Sequence, residues 1–151
     1  MNLDKFEKII NEAFEIKEKI NANSDKSIID AIEQTIELTD KGKIRVAEKK
    51  DGSWFVNQWV KKAILLSFKI NKMEILRGPY TSWYDKVPGK SVNWKEEDWK
   101  KAGYRHVPNG VVRKGSFIAK NAVLMPCFVN LGAYVGEGTM IDTWASVGSC
   151  A

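Results

Sequence analysis

Residues 111–151 read VVRKGS-FIAKNA-VLMPCF-VNLGAY-VGEGTM-IDTWAS-VGSCA, seven consecutive six-residue units of which the last is incomplete. The first residue of every unit is apolar, and these residues are Val111, Phe117, Val123, Val129, Val135, Ile141 and Val147. The fifth residue is small in every unit but one, where it is Asn121. A period of six fits neither a helix nor an uninterrupted strand, so it predicts short strands separated by regular corners. The stretch therefore predicts a parallel β-helix.

The left-handed form of this fold builds one coil of a triangular prism from three units, so residues three units apart should stack. The expected columns are Val111/Val129/Val147, Phe117/Val135 and Val123/Ile141, running up the inside as an apolar core. The small fifth residues are expected where the chain turns inward. A set of ordinary strands with Gly-rich turns is the alternative, and it does not explain the strict spacing.

The composition describes an ordinary folded protein, with 44% hydrophobic and 28% charged residues. The formal net charge of +5 comes from Lys and Arg spread along the chain, which indicates a solvated surface more than a nucleic-acid arm. It would also suit an anionic substrate. Cys127 and Cys150 form no disulfide framework, so we expect free thiols and a cytoplasmic protein. The N-terminal sequence predicts no signal peptide, and no stretch is long enough for a membrane span.

Outward from the repeat, the preceding residues predict a mixed helical and β domain. Apolar residues at three- and four-residue steps predict helices over Leu3–Ile20 and Ile28–Lys41, the second capped by Ser27 and ended by Gly42. Asp51-Gly52 predicts the turn of a β-hairpin, and residues 59–68 a short buried helix. Residues 71–91 are expected to be loop with short strands, interrupted at Gly78-Pro79, Pro88 and Gly89.

A last helix is predicted just before the repeat, capped by Asn93 with Glu96 and ended by Gly103. An extended segment, Tyr104–Val107, should lead into the prism. The predicted domains are residues 1–107, mixed α/β, and residues 108–151, the start of a left-handed β-helix. Because repeat arrays need capping units, the open edge after barely two coils indicates that the chain is a fragment or that something else covers that end.

Four segments resemble one enzyme family: RVAEKKDGSWFVNQWVKKAILLSFKIN, SWYDKVP, GYRHVP and VRKGSFIAKNAVLMPCFVNLGAYVGEGTMIDTWASVGSCA. The family is tetrahydrodipicolinate N-succinyltransferase, of the succinylase branch of lysine and diaminopimelate biosynthesis. The resemblance implies a homotrimer of left-handed β-helices, with active sites in the grooves between prisms. It also implies transfer of a succinyl group from succinyl-coenzyme A to the amino group of ring-opened, hydrated tetrahydrodipicolinate, without a permanently bound cofactor.

Arg105 is the first candidate site residue, since by resemblance GYRHVP carries the family arginine that holds the dicarboxylate substrate. A guanidinium can grip a carboxylate with two parallel hydrogen bonds, which fixes both its position and its orientation. Without the resemblance, a surface arginine leading into the prism would be the favoured interpretation.

Asp142 is the second candidate, placed outward by its position in the repeat. By resemblance it is a substrate-binding and catalytic acid, which could hold the substrate ammonium and accept its proton during attack on the thioester. From the repeat alone, a solvated Asp is at least as good an interpretation. Residues of the coenzyme A site are expected beyond Ala151, and no metal site is expected.

The other polar and aromatic residues are assigned structural roles. His106 is interpreted as a surface residue, and a single histidine argues against the three-histidine zinc site of β-helix carbonic anhydrases. Trp144 and Tyr134 are expected on the outer prism face or at a trimer contact, with groove lining as a lesser alternative. Trp83-Tyr84 and Trp94/Trp99 are expected in the domain core.

Two other functions stay open at this point. One is a non-catalytic trimerisation module built on a truncated β-helix. The other is a different hexapeptide-repeat acyltransferase, acting on a sugar nucleotide. The isolated chain is expected to have little or no transferase activity, and its acyl-donor preference is open.

Overall fold

A computed structural model describes residues 3–78 and 80–151 of the chain. Its α-helices are α1 (Leu3–Glu15), α2 (Lys26–Asp40), α3 (Gln58–Ile70) and α4 (Glu96–Ala102). The first helix is shorter than the predicted Leu3–Ile20. The backbone leaves α-helical geometry at Ile16 and continues as a 3₁₀ turn, Lys17–Lys19. No helix within the described ranges is long and apolar enough to cross a membrane.

The two predicted N-caps are wrong in position, although the helices exist. Asp25 caps α2, since its Oδ1 accepts hydrogen bonds from the Ser27 backbone N–H at 2.7 Å and from the Ser27 hydroxyl at 2.6 Å. These bonds lower the pKa of the exposed Asp25 carboxyl. At α4, Lys95 is the cap residue and its N–H donates to Asp98 Oδ2 at 2.8 Å. A carboxylate thus satisfies a backbone donor at the start of each helix, from the cap residue in α2 and from the first turn in α4.

Two antiparallel hairpins join the helices. The first pairs β1 (Ala47–Lys50) with β2 (Ser53–Val56), and Asp51 and Gly52 both have positive φ, as the Asp-Gly turn predicted. The second pairs β3 (Glu74–Arg77) with β4 (Ser82–Asp85). Pro79, between β3 and β4, lies outside the described residues, as do Met1 and Asn2. Trp83 and Tyr84 are 51% and 67% exposed, so their predicted place in the core is wrong. This hairpin is a two-stranded sheet by itself, and the core helices leave both rings uncovered.

Short parallel strands follow and stack in three sheets. They are β5 (Arg105–His106), β6 (Val111–Val112), β7 (Phe117–Ile118), β8 (Val123–Leu124), β9 (Phe128–Val129), β10 (Tyr134–Val135), β11 (Met140–Ile141) and β12 (Ser146–Val147). The sheet orders are β11-β8-β5, β12-β9-β6 and β10-β7. This confirms the predicted fold class, an α/β N-terminal domain followed by the first coils of a left-handed β-helix. The parallel ladder already includes β5, two residues before the predicted boundary, and the division into domains stays a prediction.

The predicted inner columns are wrong by one residue in the first coil. Val112 is 4% exposed and lies opposite Val129, whereas Val111 is 42% exposed and lies opposite Phe128. The observed columns are Val112/Val129/Val147, Ile118/Val135 and His106/Leu124/Ile141. The cause is a corner one residue shorter than the others, Met125-Pro126-Cys127 between β8 and β9. Before this corner the inward residue is the second of each unit, and after it the first. Every unit nevertheless begins with an apolar residue.

Left-handed backbone marks the corners that have the full length. The residue three positions after each inward residue has positive φ, and these residues are Asn109, Gly115, Asn121, Gly132, Gly138, Trp144 and Cys150. Gly and Asn adopt this conformation at least cost, which explains five of the seven. Of the small fifth residues, Gly115, Cys127 and Ala133 are buried, and Ser116 and Ala122 are buried at the sixth position of their units.

Two apolar cores hold the molecule together. The first lies among α1, α2 and α3 and takes in Leu131 from the prism. Prism and helices also meet at Gly42, where an added Cβ would lie 2.7 Å from the Phe117 ring. The second core fills the prism and continues into an aromatic lid, which we define as Trp94, Trp99 and Tyr104 at its N-terminal end. Trp94 and Trp99 were expected in the core of the preceding domain; they are half-buried and pack against the prism core, with ring centroids 4.9 Å apart.

Candidate functional site

Arg105 and Asp142 lie on the same face of the prism, the sheet β11-β8-β5. Arg105 is opposite Val123 in β8, and Val123 is opposite Met140 in β11, so these three residues form one outward column. Asp142 follows β11 directly, and its side chain is outward because Ile141 belongs to an inward column. Both candidates are exposed.

The Asp142 carboxylate is held by its own turn. Its Oδ1 accepts the Thr143 N–H at 2.7 Å, and its backbone carbonyl accepts the Ala145 N–H at 3.1 Å. Within the described residues Oδ2 has no hydrogen-bond partner. The turn therefore orients the carboxylate and leaves one oxygen to accept a proton or bind a cation.

The two candidates share a face but do not contact each other. They lie two ladder steps apart, which is about 10 Å between the outer strands. The backbone N–H of Arg105 donates to the Ala122 carbonyl at 2.9 Å, but no hydrogen bond or ion pair holds its guanidinium in the described part of the chain. The guanidinium and the carboxylate can thus engage two different groups of one elongated ligand.

Two exposed side chains on this part of the prism complete the candidate site. Met140 is 63% exposed, and sequence reasoning missed it because the repeat pattern marks only inward residues. Trp144 is 82% exposed, so among the described residues it does not pack on the outer prism face, and a trimer contact or groove lining stays a prediction. Tyr134 does pack, with its ring 4.8 Å from Phe117 and 3.7 Å from the Arg45 guanidinium.

Buried charges fix the prism to the domain in front of it. Lys90 Nζ lies 2.8 Å from Asp40 Oδ2 and 2.9 Å from the Asp40 carbonyl oxygen, and Asp40 Oδ1 accepts the Gly115 N–H at 2.7 Å. Burial lowers the pKa of Lys90, and the Asp40 carboxylate opposes that effect. Arg113 adds an ion pair to Asp85 at 2.6 Å and a hydrogen bond to Asn130 at 3.0 Å. These contacts hold the candidate face at a fixed angle to the helices.

His106 is not the surface residue that was expected. It lies in an inward column below Leu124, with its ring 5.9 Å from Trp99 and 6.3 Å from Tyr104. Burial lowers its pKa, while the backbone of Gly110 acts in the opposite direction. Burial also raises the pKa of Tyr104. Because strand alternation points His106 inward and Arg105 outward, the histidine supports the candidate face from inside.

A cavity of about 520 Å³ lies elsewhere, among α2, α3 and the start of the second hairpin. Its lining includes Ile36, Ile70 and Leu131 and the charged Glu37 and Lys86, but neither Arg105 nor Asp142. The described residues contain no group of three His, Cys, Asp or Glu side chains that could hold a metal ion. Cys127 is buried and Cys150 half-buried, and both are free thiols as predicted.

The known proteins that the chain resembles are named as acyltransferases, and more specifically as N-succinyltransferases. Residues 5–70 match the family model for the N-terminal domain of tetrahydrodipicolinate N-succinyltransferase. The resemblance predicted from the sequence is thereby confirmed, and the chain corresponds to the N-terminal portion of the tetrahydrodipicolinate N-succinyltransferase family.

Curated relatives extend the match to the prism. The chain is 68% identical over 138 residues to a protein of Pelagibacter ubique named 2,3,4,5-tetrahydropyridine-2,6-dicarboxylate N-succinyltransferase, covering 89% of this chain and 50% of that relative. Relatives of the same name from Bradyrhizobium diazoefficiens and Parvibaculum lavamentivorans are 52% and 50% identical, covering 100% of this chain and 55% of each relative. The chain thus spans about half the length of the curated relatives it matches.

Proposed function

We propose that this chain supplies the acceptor-binding part of an N-succinyltransferase acting on tetrahydropyridine-2,6-dicarboxylate in its ring-opened, hydrated form. The succinyl donor is succinyl-coenzyme A, and the reaction belongs to lysine and diaminopimelate biosynthesis. The observation that carries the proposal is the placement of Arg105 and Asp142 on one exposed prism face, each with hydrogen-bonding capacity to spare. The names of the relatives supply the substrate class.

Each side chain has a distinct role in this proposal. Arg105 binds one substrate carboxylate with two parallel hydrogen bonds. The Asp142 carboxylate holds the substrate amino group and accepts a proton from it as the nitrogen attacks the thioester carbonyl. A tetrahedral intermediate forms and collapses to the amide, the carbon–sulfur bond breaks, and coenzyme A leaves as a thiolate that takes up a proton. The donor-binding residues are expected beyond Ala151.

The proposal includes assembly as a homotrimer in the cytoplasm. Val111 and Phe128 form an exposed apolar column on the sheet β12-β9-β6, and an exposed apolar face supports contact between copies. The free thiols of Cys127 and Cys150 fit a reducing compartment.

The test is acyl transfer by Arg105→Ala and Asp142→Asn variants, made in the form of the protein that its source cell produces. We expect each change to lower kcat/KM for the dicarboxylate by about a hundredfold or more, since each removes a charged contact to the reacting substrate. Release of coenzyme A thiol measures the rate, and the melting temperature should not change because both residues are exposed.

Arg77→Ala is the matched control, an exposed arginine on β3 away from the prism, and it should retain full activity. Near-normal kinetics of the Arg105 and Asp142 variants would sink both assignments. The isolated 151-residue chain is expected to release no thiol. If this chain instead forms stable oligomers that bind neither ligand, and the source protein has no transferase activity, a trimerisation module becomes the better proposal.

A further inference from the structure

Trp144 departs from the pattern of its neighbours. Its φ is 59°, the left-handed conformation that Gly and Asn occupy at the equivalent corners. A bulky side chain is a rare occupant of this region, and holding it there costs conformational energy. Its ring is 82% exposed, so no packing within the chain compensates for that cost.

Cys150 shows that packing can explain a residue other than Gly or Asn in the left-handed conformation. It has φ 69° at the next corner, but it is half-buried and its Sγ would lie 3.3 Å from a Cβ added at Gly132. It packs against the core of the helical domain. Trp144 lacks any comparable contact among the described residues, so its side chain needs another explanation.

The backbone of Trp144 is fixed on both sides. Its N–H donates to the Pro126 carbonyl in the coil below at 2.7 Å, and the turn closes through the Ala145 N–H and the Asp142 carbonyl. The turn that orients the Asp142 carboxylate is therefore the same turn that presents the indole.

The shortened corner lies directly below Trp144, whose N–H is bonded to it. Along this edge of the prism the corners stacked on one another run from His106 to Val112, from Leu124 to Val129 and from Ile141 to Val147. The middle corner has one residue fewer than the corners above and below it, and it has no left-handed residue. The corner that carries Trp144 begins at Asp142, directly after the strand of Met140 and next to the face with Arg105.

We propose that Trp144 is a substrate-contacting residue that binds the carbon chain between the two carboxylates of the acceptor. This inference rests on the proposed function and adds a determinant of chain length to it. The strands that carry or precede the two charged side chains are about 10 Å apart, and in the proposed function these side chains bind the polar groups of the acceptor. The methylene groups between them gain free energy only where an apolar surface removes them from water. Trp144, together with the thioether of Met140, offers that surface beside Asp142.

The experiment compares Trp144→Asn and Trp144→Phe in the form of the protein that the source cell makes. Asn already occupies the equivalent left-handed corners 109 and 121, so Trp144→Asn removes the ring without straining the backbone. We expect the Kd of pimelate, a seven-carbon dicarboxylate probe, to rise about tenfold, and that of the shorter glutarate to rise less. KM for the acceptor should rise more than kcat falls, and Trp144→Phe should recover part of the affinity.

A purely structural role would show itself differently, as a lower melting temperature, which we do not expect for Trp144→Asn. Trp54→Asn is the matched control, because Trp54 is 68% exposed on the first hairpin, and it should leave pimelate binding unchanged. If Arg105→Ala abolishes pimelate binding and Trp144→Asn leaves both dicarboxylates unaffected, this inference is wrong and the proposed function stands. If Trp144→Asn dissociates oligomers of the protein but leaves pimelate binding intact, this inference is also wrong and the proposed function stands. If pimelate fails to bind the unaltered protein, both proposals fall.

Discussion

Two faces of the prism are built from the same repeat, but the preceding domain covers one of them and leaves the other exposed. The β10-β7 face presents Phe117 and Tyr134, which are covered by Gly42 and Arg45 of the preceding domain. The β11-β8-β5 face presents Arg105 and Met140, which nothing in the described chain covers. Inward residues are apolar on both faces apart from His106. The repeat therefore determines the interior, and the outward residues alone decide whether a face docks or stays open for a ligand.

The largest expected difference between the faces is in stability. Leu131, at the edge of the docked face, is 2% exposed in the helical core, so Leu131→Ala should lower the free energy of unfolding by about 2–5 kcal/mol. Met140→Ala, on the open face, removes a side chain that is 63% exposed and should cost less than about 0.5 kcal/mol. Urea unfolding measures both. Equal losses would mean that the open face is covered in solution.

A smaller effect should follow from the ion pair behind the docked face. Asp40→Asn leaves the Lys90 ammonium, whose side chain is 6% exposed, without its counter-charge, and should lower the free energy of unfolding by about 1.5–3 kcal/mol. The matched change is Asp85→Asn, which breaks the more exposed pair with Arg113 and should cost less. Thermal unfolding distinguishes the two. An Asp40→Asn/Lys90→Met double variant should recover part of the loss, and a further loss would contradict this account.

The smallest effect concerns the inside of the open face. The folded-state pKa of His106 is below its ordinary value of 6.5, because burial disfavours the charged ring. The unfolded chain therefore binds the proton more readily, so stability is complete above about pH 6.5 and falls as pH decreases toward the folded pKa. His106 is the single histidine of the chain. Carboxyl groups whose pKa is lowered, such as Glu37 and Glu48, lose their contribution only at lower pH.

His106→Gln, which stays neutral, is the corresponding variant. Between about pH 7 and pH 5 its melting temperature should vary less than that of the unaltered protein. Identical pH profiles would show that the ring is hydrated in solution and does not stabilise the face from inside.

The sequence predicted the fold from a signal that recurs, but not the register. Each unit opens with an apolar residue even where the inward position is the second one, because Val111-Val112, Phe117-Ile118 and Val123-Leu124 are apolar pairs. A periodic pattern cannot distinguish the two members of such a pair. The shortened corner at Pro126 decides which member of each pair points inward. Its length becomes visible only once the strands are paired.

For the candidate site, the sequence predicted the orientation of some side chains and not of others. The outward position of Asp142 followed from strand alternation, and the exposure of Arg105 agrees with its outward position. The inward position of His106 did not follow, because β5 precedes the recognisable repeat and its pairing with β8 has no apolar signature. The exposure of Trp83 and Tyr84 also escaped prediction, since an aromatic residue in a sequence usually indicates a core.

The aromatic lid has a consequence for the order in which the chain folds. Strands of the prism pair with partners only 17 or 18 residues away, whereas Gly115 meets Asp40 across 75 residues. Short loops close at low entropic cost, and an array of this kind grows by adding each coil to the one before. The lid of Trp94, Trp99 and Tyr104 gives the first coil an apolar surface to pack on before any second coil exists. We therefore expect the nucleus of the prism at this end, with docking of the helices as a later step.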